Sequence, residues 1–363
     1  MGAPCFNRNE NIPMTDITLA PNIQPGWLRN SQFDLLFVVG TVFIAMASGI
    51  IVMANPKYFG LVLFLDLWLL GYHHVIATYT RLCFDKESFR QHRFLLFGLP
   101  LLVFTGTFMI ATGIGIWTVT SVYLYWQWFH YTRQSWGISQ AYRRKAGKNI
   151  TESETLSKMT FYLLPLWGIL YRSWQAPETF IGLELKVIPV PEMLVDIVGA
   201  AAILSLVLWG YHRARDFMQG HRPVAHTLYM ISHHAIFGVG YLLIEDITYG
   251  WVVINVWHNA QYLLFVWLFN SNRYRSGIDR KARFLSLISQ PDKWILYFAV
   301  CLSITYLLYH TITLFEDSFY LIGIPSLIII YQTINFHHYV VDSIIWKMRK
   351  APMQKTLDLN SGG

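Results

Sequence analysis

Apolar runs of about 20 residues, the length an α-helix needs to cross the hydrocarbon core of a bilayer, recur along the whole chain. Short polar segments separate them, and neither an internal repeat nor a linker divides the pattern. It therefore predicts an all-α, polytopic membrane bundle of about ten transmembrane helices. The predicted helices are residues 34–54, 58–83, 94–117, 118–142, 158–174, 192–214, 225–245, 249–270, 294–314 and 318–346.

Basic residues are concentrated in every second loop, for example at 143–148 and 273–283, whereas the other loops carry few cations and several acids. The positive-inside rule places the basic loops, and with them both termini, in the cytoplasm. We expect a polar cytoplasmic arm at 1–30, one transmembrane domain at 31–349 and a short polar cytoplasmic tail at 350–363. A multi-pass protein of a bacterial inner membrane is favoured over one of the endoplasmic reticulum.

The composition agrees with this class, since 54% of the residues are hydrophobic and only 13% are charged. The net charge of +7 comes from short loops that set topology, so it does not indicate a nucleic-acid partner. The three cysteines have no CxxC spacing, which excludes a disulfide framework and an iron–sulfur cluster. The bilayer itself is the first expected partner.

Histidine is the unusual residue of the apolar segments. A titratable side chain inside a membrane helix is costly and indicates a functional site by default. Helical rise places these histidines roughly 10 to 20 Å from the basic helix ends, in the cytoplasmic half or at the midplane. The predicted metal ligands are His73, His74, His130, His233, His234, His258, His337 and His338.

Neutral imidazole is a common ligand for iron, copper and zinc. Adjacent histidines on a helix diverge by about 100°, so the three His-His doublets favour two neighbouring metals over one. Asp342 follows His338 by four residues on the same face, where it could ligate or orient the imidazole and assist catalysis. Asp66 lies on nearly the same face as His73. Buried amides that could satisfy second ring nitrogens are Gln134, Asn255, Asn259, Gln261 and Asn335.

A single intramembrane histidine often only hydrogen-bonds a neighbouring helix, and His130 or His258 taken alone could be of this kind. Purely structural packing is a poor explanation for the whole set. We expect His310 to be structural or interfacial, and His226 is ambiguous. The loop histidines expected to be solvated are His92, His212 and His221.

The histidine segments read GYHH, WFHYTRQ, ISHHAIF, VWHNAQY and NFHHYVVD. In their number, doublets and cytoplasmic placement they resemble the membrane-bound non-haem di-iron enzymes, which include desaturases, hydroxylases and alkane monooxygenases. The HxxxH and HxxHH boxes of those enzymes are absent here. Membrane carotene-cleaving dioxygenases, which hold one iron with histidines, are a further analogy. The resemblance implies an iron site that works with O₂.

The sequence thus predicts an integral-membrane, O₂-dependent oxidoreductase with a histidine-ligated site, expected to be di-iron, that hydroxylates, desaturates or cleaves a lipid or isoprenoid substrate. Electrons would come from a separate ferredoxin- or cytochrome-type donor, because the chain has no flavin fingerprint and no cysteine cluster. Haem, copper and zinc are the alternative cofactors. The alternative functions are a haem-binding electron carrier and a metal-ion transporter.

Overall fold

The computed structural model describes residues 26–320 and 326–359. Most of the predicted arm (1–25), the segment 321–325 of the predicted helix 318–346, and residues 360–363 of the predicted tail lie outside the described residues.

Helices make up almost all of the described chain. The α-helices are α1 (Ser31–Leu35), α2 (Thr41–Ala54), α3 (Phe59–Leu65), α4 (Tyr72–Cys83), α5 (Lys86–Gln91), α6 (Leu99–Gly113), α7 (Ile116–Ala146), α8 (Glu154–Gln175), α9 (Glu192–Met218), α10 (Val224–Gly238), α11 (Ile247–Arg273), α12 (Arg283–Ile288), α13 (Trp294–Tyr320), α14 (Ser326–Ile345) and α15 (Ala351–Thr356). One antiparallel hairpin pairs β1 (Thr179–Phe180) with β2 (Leu183–Glu184). The prediction of an all-α bundle is confirmed.

Short π-helical and 3₁₀ turns join or extend several helices. The π turns are Leu36–Gly40, Asp66–Gly71, Phe94–Gly98 and Val239–Leu243, and the 3₁₀ turns are Pro56–Tyr58, Gly147–Asn149 and Arg280–Ala282. The π turn at Asp66–Gly71 connects α3 to α4 without a break. A π turn takes up one residue more than an α turn, so it changes which residues share a face.

Each predicted segment overlaps a helix, but several predicted boundaries differ from those of the structure. The helix predicted at 94–117 ends at Gly113, because Gly115 has a φ of 133° and separates α6 from α7. The helix predicted from residue 318 begins at Ser326, since α13 continues to Tyr320.

Among the described residues, six helical segments are long and apolar enough to cross a membrane. They are Ser31–Ala54, Pro56–Cys83, Phe94–Gly113, Glu192–Met218, Ile247–Arg273 and Trp294–Leu314. In five of them less than half of the apolar window is buried, and large apolar side chains such as Phe43, Leu101 and Leu307 are exposed. Exposed apolar surface on this scale indicates a lipid-facing exterior. Ten crossings and two cytoplasmic termini stay predictions.

The sixth segment, α11, is almost entirely buried and forms the axis of the bundle. It packs against α2, α4 and the π turn Val239–Leu243. Burial on all sides lets α11 carry polar side chains that a lipid-facing helix could not hold, among them Asn255, His258 and Asn259.

A close approach of backbones fixes the start of α11. A Cβ atom at Gly250 would collide with the carbonyl oxygen of Gly240. Arg172 lies beside this contact, donating to the carbonyl oxygens of Glu245 at 2.5 Å and Gly240 at 3.2 Å, and to that of Ile244. The buried guanidinium thus satisfies carbonyls left free at the end of the π turn.

An ion-pair cluster anchors the loop between α7 and α8. Glu152 is buried and accepts from Arg213 at 2.9 Å and Arg143 at 3.0 Å. Burial raises the pKa of Glu152, while the two guanidinium groups oppose that rise.

The predicted polar tail is in part a packed element. Met353, Leu357 and Leu359 are buried against the same core cluster as Phe265 and Tyr229. Helix α15 therefore folds back onto the bundle.

We predict that Gly250→Ala destabilises the protein by about 1–3 kcal/mol or more, because the new methyl group has no space beside Gly240. Thermal unfolding in detergent measures the effect. Gly238→Ala is the matched control, since a Cβ there meets nothing within 4 Å. Equal stability of the two variants would contradict the close approach.

Candidate metal centre

Four helices each bring one histidine toward a common point in the bundle. His74 lies on α4, His130 on α7, His258 on α11 and His338 on α14. Helix α14 contacts both α4 and α7, and α11 contacts α4. The four rings are buried.

Three of these histidines and one carboxylate form a group with metal-site geometry. One ligand atom from each of His74, His130, His338 and Asp342 lies within 4.8 Å of all the others. His258 is adjacent, with its ring centre 4.9 Å from that of His74 and 5.2 Å from that of His130. The Nε2 atoms of His130 and His258 have no hydrogen-bond partner.

The hydrogen bonds of His74 fix which nitrogen faces the group. Asn259 donates from Nδ2 to Asp66 at 3.2 Å, so its Oδ1 must be the atom 2.9 Å from Nδ1 of His74. An amide oxygen only accepts, and therefore Nδ1 of His74 carries the proton and Nε2 holds a lone pair. This relay is an amide-containing version of the carboxylate–histidine pairs that orient metal ligands.

His338 also has a polar side chain beside its outer ring nitrogen. Its Nδ1 lies 3.3 Å from Oγ1 of Thr78, whose hydroxyl donates to Oδ1 of Asp342 at 3.2 Å. Oγ1 of Thr78 also contacts the hydroxyl of Tyr262, so its single proton has several acceptors. When that proton goes to Asp342 or Tyr262, Nδ1 of His338 donates to Thr78 and Nε2 of His338 carries a lone pair. Tyr262 also donates to Oδ1 of Asp342 at 2.9 Å, while Oδ2 of Asp342 has no hydrogen bond and lies 3.4 Å from Nε2 of His338.

The Nε2 atoms of His74 and His338 are 2.8 Å apart. With the proton of His338 on Nε2, this contact is a hydrogen bond to His74. With the proton on Nδ1, it joins two lone pairs, and a cation, either a proton or a metal ion, then has to lie between them. Two imidazole nitrogens at about 2.1 Å from one ion and about 90° apart would lie about 3 Å from each other, so the donor set fits a metal.

Tyrosine rings clamp three of the imidazoles. Tyr262 stacks on His74 with ring centres 4.0 Å apart, and Tyr131 stacks on His258 at 3.9 Å. Tyr339 stacks on His130 at 4.3 Å. Locked rings hold ligand atoms in a preset geometry.

A buried polar network lies behind the group. Asn255 donates to Asp66 and accepts from the hydroxyl group of Tyr131. Gln127 accepts from Trp251 at 2.7 Å and donates to Tyr123 at 2.8 Å, which fixes its amide orientation. Asp66 thus supports His74 through Asn259. Through Asn255 it is also connected to Tyr131, the tyrosine that stacks on His258.

The structure does not bring the other four predicted ligands into this group. His233 uses both ring nitrogens, 3.0 Å from the carbonyl oxygen of Phe161 and 3.1 Å from Ser135. His234 lies 3.2 Å from the carbonyl oxygen of Thr160. A nitrogen that donates to a carbonyl holds a proton and cannot ligate.

His337 donates to the carbonyl oxygen of Leu95 at 2.6 Å and bonds the hydroxyl of Tyr79, so both of its nitrogens are used. His73 donates from Nδ1 to the carbonyl oxygen of Leu69 at 3.2 Å. The doublets therefore do not supply two ligands each to one centre. In the doublets 73–74 and 337–338 only the second histidine faces the group, since neighbours on a helix point in different directions.

Some of the amides and histidines named from the sequence belong to this polar network, and the others lie outside it. Asn255 and Asn259 belong to the network, whereas Gln261 accepts from Tyr229 at 3.0 Å and Asn335 bonds Gln332 at 3.3 Å. The Oε1 atom of Gln134 is buried without a partner. His310 is exposed, His226 is buried beside Arg213, and His92, His212 and His221 are partly exposed.

Sequence reasoning missed Thr78, Tyr262, Tyr131 and Tyr339. A signal was present for the first two, because Thr78 follows His74 by four residues and Tyr262 follows His258 by four. This is the same spacing that singled out Asp342, and it places both residues on the histidine face of the helix.

A cavity of about 580 Å³ reaches the group from one side, between α7 and α14. Its lining includes His130 and Asp342 of the group together with aromatic side chains such as Trp126, Phe129 and Trp346. Its other charged lining residues are one acid, Glu154, and four basic residues that we call its basic mouth: Arg133, Arg144, Lys347 and Arg349.

No protein-family model, curated protein or solved structure matches this chain. The resemblance to the di-iron enzymes therefore stays a prediction, and the function has to be inferred from the residues themselves.

We predict that Asn259→Leu lowers metal affinity by about 10–100-fold, because His74 loses the acceptor that fixes its proton on Nδ1. Metal titration of purified protein measures the change. Gln261→Leu, on the same helix and equally buried, is the control, since it contacts Tyr229 and none of the four histidines. A similar loss in both variants would indicate general disruption of α11.

Proposed function

We propose that this protein is a metal-dependent membrane oxidoreductase that uses O₂ to oxidise a lipophilic substrate. The observation that carries the proposal is the group His74, His130, His338 and Asp342, in which one ligand atom from each of three imidazoles and a carboxylate converge inside an apolar bundle. Buried polar atoms without partners are rare in proteins and call for a ligand.

We propose one ion at this centre. The sequence predicted two, but only one histidine of a doublet reaches the group. A mixed set of imidazoles and one carboxylate suits iron, which non-haem oxygenases hold with two histidines and a carboxylate. Copper and zinc also accept imidazole, so the choice of iron depends on the O₂ chemistry that the resemblance implies.

A bound iron ion would supply the activation of O₂. The chain's own residues would perform the remaining tasks. Asn259 holds the proton of His74 on Nδ1, and Thr78 would accept the proton of Nδ1 of His338, so that both Nε2 atoms would be available as ligands. Tyr262 and Thr78 hold one oxygen of Asp342 and leave the other toward the centre. The apolar surroundings exclude water from the reacting group.

The cavity between α7 and α14 suggests the class of substrate. Aromatic walls beside His130 and Asp342 favour an apolar chain at the inner end, while the basic mouth favours an acidic group. We propose an amphiphile with a carboxylate or phosphate head, bound with its apolar part nearest the centre.

We predict about one iron ion per chain in protein purified without chelator, and its loss in His74→Ala and His338→Ala. Each variant removes one of two converging Nε2 ligands. Elemental analysis of folded, monodisperse protein gives the ratio. His310→Ala, at an exposed site, should keep full metal content. Absence of metal, an intense Soret band from haem, or metal uptake into vesicles without substrate oxidation would each refute the proposal.

We predict that Arg133→Gln combined with Lys347→Gln raises KM for an acidic amphiphile up to about fivefold and leaves kcat nearly unchanged, since exposed charge pairs contribute about 1 kcal/mol or less. Steady-state kinetics against the methyl ester of the same substrate measures this. The ester should not distinguish the variant from the parent. Lys57→Gln, outside the cavity, is the control. Equal losses on acid and ester would argue against recognition of the head group.

A further inference from the structure

A second cavity, of about 510 Å³, lies on another side of α11, and its walls come from α2, α4, α11 and α13 with their adjoining turns. Its lining is apolar except for Thr41 and His73. The hydroxyl of Thr41 donates to the carbonyl oxygen of Phe37 at 2.8 Å, so it is already satisfied. We call this cavity the His73 groove.

His73 is the unsatisfied polar group of this groove. The ring is 4% exposed, and its Nδ1 lies 3.2 Å from the carbonyl oxygen of Leu69. A carbonyl only accepts, so Nδ1 carries the proton. The remaining atom, Nε2, is therefore an acceptor, and it is buried with no partner. The ligand that completes it must offer an O–H or N–H donor.

The occupant comes from the bilayer, because Leu36, Leu69 and Ile295 line the groove and are themselves exposed on the apolar exterior of the bundle. A soluble protein has no access to a groove that lipid covers. The volume is in the range of sites for small lipophilic molecules.

The position of the groove suggests what the occupant does. His73 directly precedes His74, whose Nε2 belongs to the candidate metal centre. The proposed oxidation with O₂ needs two electrons, and the chain has only three cysteines and no iron–sulfur spacing to supply them. A lipid-soluble carrier of two electrons and two protons meets both the chemical and the geometric requirement.

We infer that the His73 groove binds a quinol, an aromatic ring with hydroxyl groups and an apolar tail, as the electron donor of the proposed reaction. Nε2 of His73 accepts a hydrogen bond from one quinol hydroxyl. In the whole reaction a substrate C–H, O₂ and the quinol give the C–OH product, water and the quinone. The two electrons and two protons of the quinol end in the water. This inference rests on the proposed function and replaces the predicted protein donor.

The test is equilibrium binding of a decyl-substituted benzoquinol to the full chain, followed by quenching of tryptophan fluorescence. The matched ligands are its dimethyl ether, which has no donor, and decyl alcohol, which has a donor but no ring. We expect the quinol to bind, and both comparison ligands to bind at least tenfold more weakly, as the loss of a buried hydrogen bond or of the ring predicts. Equal binding of the ether or of the alcohol would overturn the assignment.

Two variants locate the ligand. His73→Phe keeps the aromatic volume but removes the acceptor, so quinol affinity should fall about tenfold or more while metal content stays unchanged. His310→Phe makes the same exchange at an exposed site of α13 and should bind quinol normally. Leu302→Phe narrows the groove, so it should also weaken quinol binding. It tests the site independently if His73→Phe does not fold. Unaltered quinol binding in His73→Phe and Leu302→Phe would refute the site.

Metal content and quinol binding are measured on the same purified protein. Quinol binding by protein that contains no metal as purified would refute the proposed function and leave the groove assignment standing. A metal centre that dithionite reduces but quinol does not would refute the groove as the entry point for electrons and leave the proposed function intact.

Discussion

An imidazole ring surrounded by apolar helices must have a partner for each of its two nitrogens, and much of this structure follows from that requirement. In His233 and His337 both nitrogens bond protein groups, so these rings join helices and have no free ligand atom. In His74 and His338 one nitrogen bonds a protein group and the other faces its counterpart at 2.8 Å. Burial alone does not distinguish the two sets, whereas the second hydrogen bond does.

The arrangement around His74 depends on a helix that lipid does not touch. Helix α11 can hold Asn255 and Asn259 side by side because other helices cover it. These amides in turn hold Asp66, which would be costly at the lipid surface. The buried axis thus makes the carboxylate possible, and the carboxylate fixes the amide that sets the proton of His74.

Much of the fold followed from the apolar pattern, since every predicted segment overlaps a helix. The division of the histidines did not follow, because whether a ring bonds a backbone carbonyl depends on the neighbouring helix. Asp66 illustrates the effect of a π turn. Regular α-helical spacing puts it on the face of His73, but the π turn Asp66–Gly71 takes up an extra residue and connects it with His74. Asp342 and the role of Asn259 were accessible from i+4 spacing and side-chain type, whereas the tyrosine stacking over the rings was not.

His74 and His338 are separated by 264 positions in the sequence, and their contact joins helices from distant parts of the chain. An ion held there would bind the folded bundle and have almost no affinity for the unfolded chain, so it would stabilise the whole domain by mass action. Metal content would then depend on the stability of the whole fold as well as on which ligands are present. A remote packing mutation could empty the site without touching it, and added metal could rescue that mutant but not one that lacks a ligand.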